Sequence, residues 1–486
     1  MNKKLIFRIL GAIWVIEAIA MLPAFIIAWH DHSFDFPIMG VCILVLAIPG
    51  SFIWFLVHPP QESNLRLKEG YIIVGLGWIA LSLGGALPFF ISKIYPTFWD
   101  ALFESVSGFT TTGATVLTDF QGFPRGLMFW RATTHWIGGM GVLVLTLALL
   151  PKLTGRTSHL VKAESPGPSL SKLVPHTGST AKILYLIYIV LTFTEFLALL
   201  LCGLSPYDAA IHSLSTAGTG GFSNYGASVG AFNNVYAEAV ITVFMFCFGV
   251  NFALYYKFLI SAPRNKAKAF LGDEEFRWYL CIIFAFIVLT SLFNLPHFHH
   301  DFLESVRYSS FGICSIFSTT GFVTTDFNHW PVPSRMLVFI AMFIGACAGS
   351  TAGGIKTVRV ILLGKISARQ IRSTAHPRKV KVVRLDHKAV DESMLSQIAV
   401  FAIVYFILVL TGSFMLSLDG NLAPMDHLSG ALTCVSNVGP AFGGLASDFS
   451  SYGAFGKIIC CFLMLAGRLE LFPMLMLISG PEWKSR

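Results

Sequence analysis

Residues 110–119 read TTTGATVLTD, a run of hydroxyl side chains around Gly113 set between two long apolar stretches. Related strips recur at TAG (216–218), STTG (318–321) and SNVG (436–439). Backbone carbonyls and hydroxyls carry partial negative charge without a formal one. Gathered into a ring, they suit an alkali cation, whose water shell they would replace. The candidate ligands are Thr111, Thr112 and Gly113; Thr216, Ala217 and Gly218; Thr319, Thr320 and Gly321; and Asn437, Val438 and Gly439. A glycine closing each strip permits backbone angles that turn successive carbonyls the same way. These four glycines stand 105, 103 and 118 residues apart, an internal fourfold repeat.

Each strip must be positioned by the segment before it. Segments 101–113, 206–218, 307–321 and 424–439 are too short to cross a bilayer and too apolar for ordinary loops, as expected of re-entrant helices. Their C-terminal ends, partially negative, would face the strips. One such segment alone also reads as an interfacial helix with a Gly-rich turn; four in register on one side favour the re-entrant reading. Irregular backbone at membrane depth is tolerated only where protein or water satisfies it, so the strips are expected around a central axis. Glu104, Asp208, Asp301, Glu304 and Asp426 precede the strips, and Asp119, Asp326 and Asp448 follow them. They read either as a carboxylate ring that concentrates cations or, each by itself, as a helix cap or a solvated residue.

The chain around these strips is built for a bilayer. Its 486 residues are 55% hydrophobic and 12% charged, against about 25% charged in a soluble domain. The mean hydropathy is +0.69. Ten spans are expected, near 7–29, 36–57, 70–91, 126–150, 183–203, 232–260, 277–295, 335–363, 394–416 and 455–480. The fold class is an all-alpha polytopic membrane protein: a two-helix hairpin, then four tandem membrane–pore–membrane repeats around a pseudo-fourfold pore. The net charge of +8 sits in short segments between spans, without aromatic interleaving, which argues against nucleic acid. Its alternation places both termini and the basic segments 152–182, 261–268 and 365–388 on the cytoplasmic side. Nine cysteines lie in apolar runs without metal or disulfide spacing and read as fillers. No Walker lysine and no strand-borne GxGxxG is present, so no enzyme and no cofactor is expected. His135 reads as packing, and the outer HDH (30–32) and HFHH (297–300) as weak metal candidates.

Two features look like a gate. FIGACAGSTAGGIKT (343–357) interrupts the eighth span with Gly345, Gly349, Ser350, Thr351, Gly353 and Gly354. Each interior glycine costs about 1 kcal/mol of helix propensity, so a loop below the strips is expected, against a small-residue helix contact. LAGRLELFP (465–473) puts Arg468 and Glu470 inside an apolar run. Two positions apart, they do not share a helix face. Arg468 therefore reads as a fixed positive barrier lining the path, or as half of an ion pair with a neighbouring helix. Glu17, Glu195 and Glu238 read as structural.

These strips, repeats and hairpin resemble the Trk/Ktr/HKT superfamily of potassium-translocating proteins, and most closely its TrkH-type bacterial subunits, over essentially the whole chain. The resemblance implies a filter centred on Gly113, Gly218, Gly321 and Gly439, with potassium as the bound substrate ion. It also implies an intramembrane loop in the third repeat that obstructs the inner half of the pore. A homodimer and cytosolic TrkA-type nucleotide-binding regulatory subunits follow from it too, as does residence in a bacterial inner membrane. The expected division is 1–68 hairpin, then repeats at 69–175, 176–270, 271–388 and 389–486. The four strips are not identical, Asn437 and Val438 departing furthest, so the strength of selectivity is left open. The competing class is an ion-coupled secondary transporter with two inverted halves; a non-transporting scaffold would have no use for four strips.

Overall fold

Six apolar helices are long enough to cross a bilayer: Lys4–His30 (with a turn at Met21), Asp35–Leu56, Gly70–Ile91, Lys182–Leu201, Glu274–Asn294 and Glu392–Ser417. They coincide with six of the ten expected spans. Their outward faces carry unpaired apolar side chains, among them Phe55, Leu201, Phe284 and Leu410, whose natural solvent is hydrocarbon. The computed structural model describes residues 3–57, 67–141, 177–262, 266–376 and 382–478. The end of the expected fourth span (142–150), most of the basic segment 152–182, and residues 263–265 and 377–381 of the other two lie outside the described residues.

The remaining spans are not continuous helices. The sixth consists of Val235–Phe248 and Phe252–Ile260, bent by 89°. The eighth breaks between Val332–Ala341 and Thr357–Ala375, and the tenth between Ala454–Arg468 and Phe472–Ile478. The fourth is helical over Arg125–Gly139 and leaves the helix at Met140. The expected uninterrupted spans at 232–260 and 455–480 are thus corrected, and a break stands in the second helices of the second, third and fourth repeats. Hydropathy averaged over a whole span does not register the breaks, because the few polar residues at them, Asn251, Arg468 and Glu470 among them, are diluted by the apolar helices on either side.

Four short helices sit where re-entrant segments are expected: Phe98–Phe109, Pro206–Gly218, Phe302–Phe317 and Pro424–Ser436. Their outer ends are fixed by local chemistry. Thr97 and Asp100 form a reciprocal capping box. Ser205 and Asp301 accept from the first turns of the second and third helices, and Pro424 opens the fourth. Four of the flanking acids, Asp119, Asp301, Asp326 and Asp448, accept N–H bonds from residues two or three positions on. Asp426 accepts from Gly444. Outside the bundle, Arg384–Leu385 pairs antiparallel with Lys388–Ala389.

Candidate functional site

The inner ends of the four short helices share one backbone solution. In each, the residue after the last turn is left-handed: Thr111 (φ 55°), Thr219 (55°), Thr319 (56°) and Asn437 (54°). The next N–H reaches back five residues to a helix carbonyl: Thr112 to Ser107 (2.9 Å), Gly220 to Ser215 (2.9 Å), Thr320 to Ser315 (2.9 Å) and Val438 to Thr433 (3.1 Å). This is the Schellman ending, usually made by glycine. Three β-branched threonines in that region are uncommon, and such strain concentrates at functional sites. Then follows a glycine of positive φ: Gly113 (79°), Gly221 (76°), Gly321 (79°) and Gly439 (101°).

The geometry resets the second strip. Thr216, Ala217 and Gly218 lie in the last turn of the Pro206–Gly218 helix. The residues in register with the other strips are Thr219, Gly220 and Gly221. The sequence carries the correct register in the pattern Ser/Thr-x-x-x-Thr/Asn-x-Gly, which begins at Ser107, Ser215, Ser315 and Thr433. The likeness of STAG to STTG hid it.

The strips close into a ring. A methyl group placed on Gly113 would sit 1.9 Å from the carbonyl oxygen of Gly220, and one on Gly221 2.0 Å from that of Thr320. On Gly321 it would sit 2.2 Å from the Val438 oxygen, and on Gly439 2.6 Å from the Thr112 oxygen. Each glycine thus abuts the carbonyl of the next strip, in chain order, and the fourth returns to the first. The ring is fourfold in backbone and twofold in side chains. Across from each other, Thr110 pairs with Thr112 (2.8 Å) and Ser318 with Thr320 (2.7 Å) through their hydroxyls. In the same two strips Ser107 Oγ donates to the Ala114 carbonyl (2.5 Å) and Ser315 Oγ to that of Phe322 (2.6 Å).

A buried ion pair braces one quadrant. Glu104 and Arg131 meet at 2.5 Å, almost wholly buried. Glu104 accepts from Thr115 Oγ1 (2.9 Å) and Val116 N (3.1 Å), just beyond the first strip. Arg131 donates to the Ser223 carbonyl (3.0 Å), just beyond the second, and lies 3.6 Å over the Phe222 ring. Glu104 is therefore a brace between strips, and composition alone did not show it. His135 stacks on Phe222 at 4.0 Å, so its packing role is exercised against the second strip itself.

On the inner side, residues 342–356 form an irregular loop. Gly345 N donates to Ile355 O (2.8 Å) and Ile355 N to Phe343 O (3.2 Å), drawing the two limbs together. A methyl on Gly345 would meet the Gly353 oxygen at 2.1 Å, so the limbs touch only because no side chain intervenes. Gly349 and Gly354 hold positive φ, while Ser350 Oγ donates to the Cys347 carbonyl (2.6 Å). The loop's tip lies against the ring: Gly353 N donates to Thr319 Oγ1 (2.8 Å), and a methyl on Gly353 would sit 2.4 Å from the Ser436 carbonyl. Arg468 faces this loop. It donates to the Thr351 carbonyl (2.6 Å) and to those of Gly138 (2.6 Å) and Gly139 (2.8 Å), joining the loop to the C-terminal end of the Arg125–Gly139 helix. Glu470 pairs with Arg359. Glu238 pairs with Arg307 at 2.6 Å. No cluster of three or more His, Cys, Asp or Glu with metal-binding geometry occurs among the described residues.

A family model matches residues 40–484, under the description "TrkH: Cation transport protein". The chain belongs to the TrkH family. It is 33% identical over 490 residues to "Trk system potassium uptake protein TrkH" of Escherichia coli K12, covering 100% of both chains. It is likewise 33% identical to TrkG of the same organism, covering 100% of this chain and 99% of that one. The crystal structure of the potassium transporter TrkH from Vibrio parahaemolyticus superposes with a TM-score of 0.89 at 30% identity, covering 100% of each chain. This TrkH-family chain is accordingly an all-alpha, multi-pass membrane protein with pore repeats in pseudo-fourfold order.

Proposed function

We propose that this protein takes up potassium, and rubidium with it, across a bacterial inner membrane by channel-like passage through the ring of strips. The observation that carries the reading is the closure of the ring, each strip's glycine packed on the next strip's carbonyl. Thr111, Thr112, Gly113, Thr219, Gly220, Gly221, Thr319, Thr320, Gly321, Asn437, Val438 and Gly439 supply the oxygens that take the place of the ion's hydration shell. Gly345–Gly354 forms the gate beneath them, pinned by Arg468. A voltage of 100 mV, inside negative, contributes about 2.3 kcal/mol toward entry of each cation.

Four units of like order support a pore; an ion-coupled carrier would call for two inverted halves around a midplane site. The five-part division at 68, 175, 270 and 388, both termini in the cytoplasm, a homodimer and a ring of TrkA-type nucleotide-binding subunits on the basic cytoplasmic face complete the proposal. The test is complementation: a bacterial strain stripped of potassium uptake should grow on low potassium when it makes this protein with its cytosolic partner. Absence of growth and of rubidium uptake, with protein present in the membrane, would overturn it.

A further inference from the structure

The loop at 342–356 is held by more than its own bonds. Glu275 lies in the first turn of the Glu274–Asn294 helix and is 7% exposed. Its Oε1 accepts from Ala348 N (2.7 Å) and from Val358 N (3.1 Å). Ala348 belongs to the descending limb of the loop, and Val358 to the first turn of the helix that follows it. One carboxylate oxygen therefore ties both limbs to the first span of their own repeat. The position is favourable twice over: Val358 N–H is one of the donors a helix start leaves unpaired, and negative charge is stabilised there. The second repeat adds a backbone hold, because Cys347 N donates to Gly249 O and Phe252 N to Gly349 O, each at 3.0 Å. Those bonds occupy the 89° bend of that repeat's second helix.

If the loop withdrew, the Glu275 carboxylate would lose both donors, and hydrogen bonds to a charged acceptor are worth more than those between neutral groups. We infer that the Glu275 carboxylate is the latch that keeps the loop beneath the strips, a positioning residue that holds the gate and does not touch the ion. This inference rests on the reading of the loop as the gate.

The experiment is rubidium flux into proteoliposomes, with sodium as competitor. It compares the unaltered protein, Glu275→Ala, Glu275→Asp, Glu275→Gln, and a short-loop variant with Ala346–Gly353 replaced by two glycines. The pairing of Ile344 with Ile355 leaves room for that replacement. Glu275→Ala should raise basal flux about tenfold or more, the fold-change for losing a bond to a charged acceptor. Glu275→Asp keeps the charge but withdraws the oxygen, and should also raise flux. Glu275→Gln, which keeps an acceptor oxygen, should stay within about threefold of the unaltered protein. The rubidium-to-sodium ratio should hold throughout, and Glu275→Ala should add nothing in the short-loop background. A short loop that raises flux while Glu275→Ala and Glu275→Asp do not overturns the latch and leaves the gate standing. A short loop without effect overturns the gate reading, and the latch with it. A raised flux with a lowered ratio means that Glu275 acts through the strips, which also overturns the latch.

Discussion

Replacing Gly113 with serine tests the ring at its tightest contact. Gly113 has φ 79°, where a side chain costs about 1–2 kcal/mol. The new Cβ would arrive 1.9 Å from the Gly220 carbonyl oxygen, with the Thr320 oxygen 3.8 Å away. Ordinary contact begins at 3.4 Å, so the neighbouring carbonyl has to retreat by more than an ångström. Overpacking of this kind costs about 1–3 kcal/mol, which brings the whole to about 2–5 kcal/mol. The strip cannot absorb this by sliding, because Thr112 N is held to Ser107 O and the Thr112 carbonyl already abuts Gly439, where a methyl would come within 2.6 Å. On the proposed path the displaced group is a ligand, so the ring would lose its match to a dehydrated potassium ion. At 1.4 kcal/mol per tenfold, rubidium flux should fall at least about tenfold, or rubidium should lose its advantage over sodium and lithium. The assay is flux into proteoliposomes under an inside-negative voltage, on protein shown to be folded by its melting profile. Folded Gly113→Ser protein with unaltered flux and competition would refute the ring as the path.

Other substitutions separate neighbouring roles. Arg468→Ala removes three bonds to carbonyls, two of them at the end of the Arg125–Gly139 helix, and should raise basal flux while leaving ion preference unchanged; equal flux would remove Arg468 from the gate. Glu104→Gln leaves Arg131 buried without its counter-charge, a change worth about 3–5 kcal/mol, and should lower the melting temperature sharply as well as selectivity. An unchanged melting profile would show that the pair is not a brace. Ser315→Ala deletes the 2.6 Å bond to the Phe322 carbonyl and should cost about 1 kcal/mol with some loss of selectivity. Ser215→Ala, whose hydroxyl finds no partner among the described residues, should be close to neutral in the same measurements.

Hydropathy and repetition determined a great deal from the sequence alone. Apolar runs near twenty residues give the membrane class and six of the spans, because the bilayer sets one length for every crossing. Glycine with hydroxyls, recurring at intervals of about a hundred residues, marks the strips in the first, third and fourth repeats. FIGACAGSTAGGIKT shows the third-repeat break, since four glycines in ten residues make a poor helix. Tertiary structure alone decided the rest. Whether the second strip begins at Thr216 or Thr219 depends on which residue takes the left-handed turn, and that is fixed by packing against the neighbouring strips. The close approaches at Gly138 and Gly467, near the ends of their helices, depend on how other chain segments come in. A methyl on Gly138 would meet the Phe109 carbonyl at 1.9 Å, and one on Gly467 the Val435 carbonyl at 2.1 Å. The partners of Glu104, Glu275 and Arg468 lie 27, 73 and 330 positions away along the chain. Local pattern reports what a residue is able to bond; only the closed ring determines which group stands opposite.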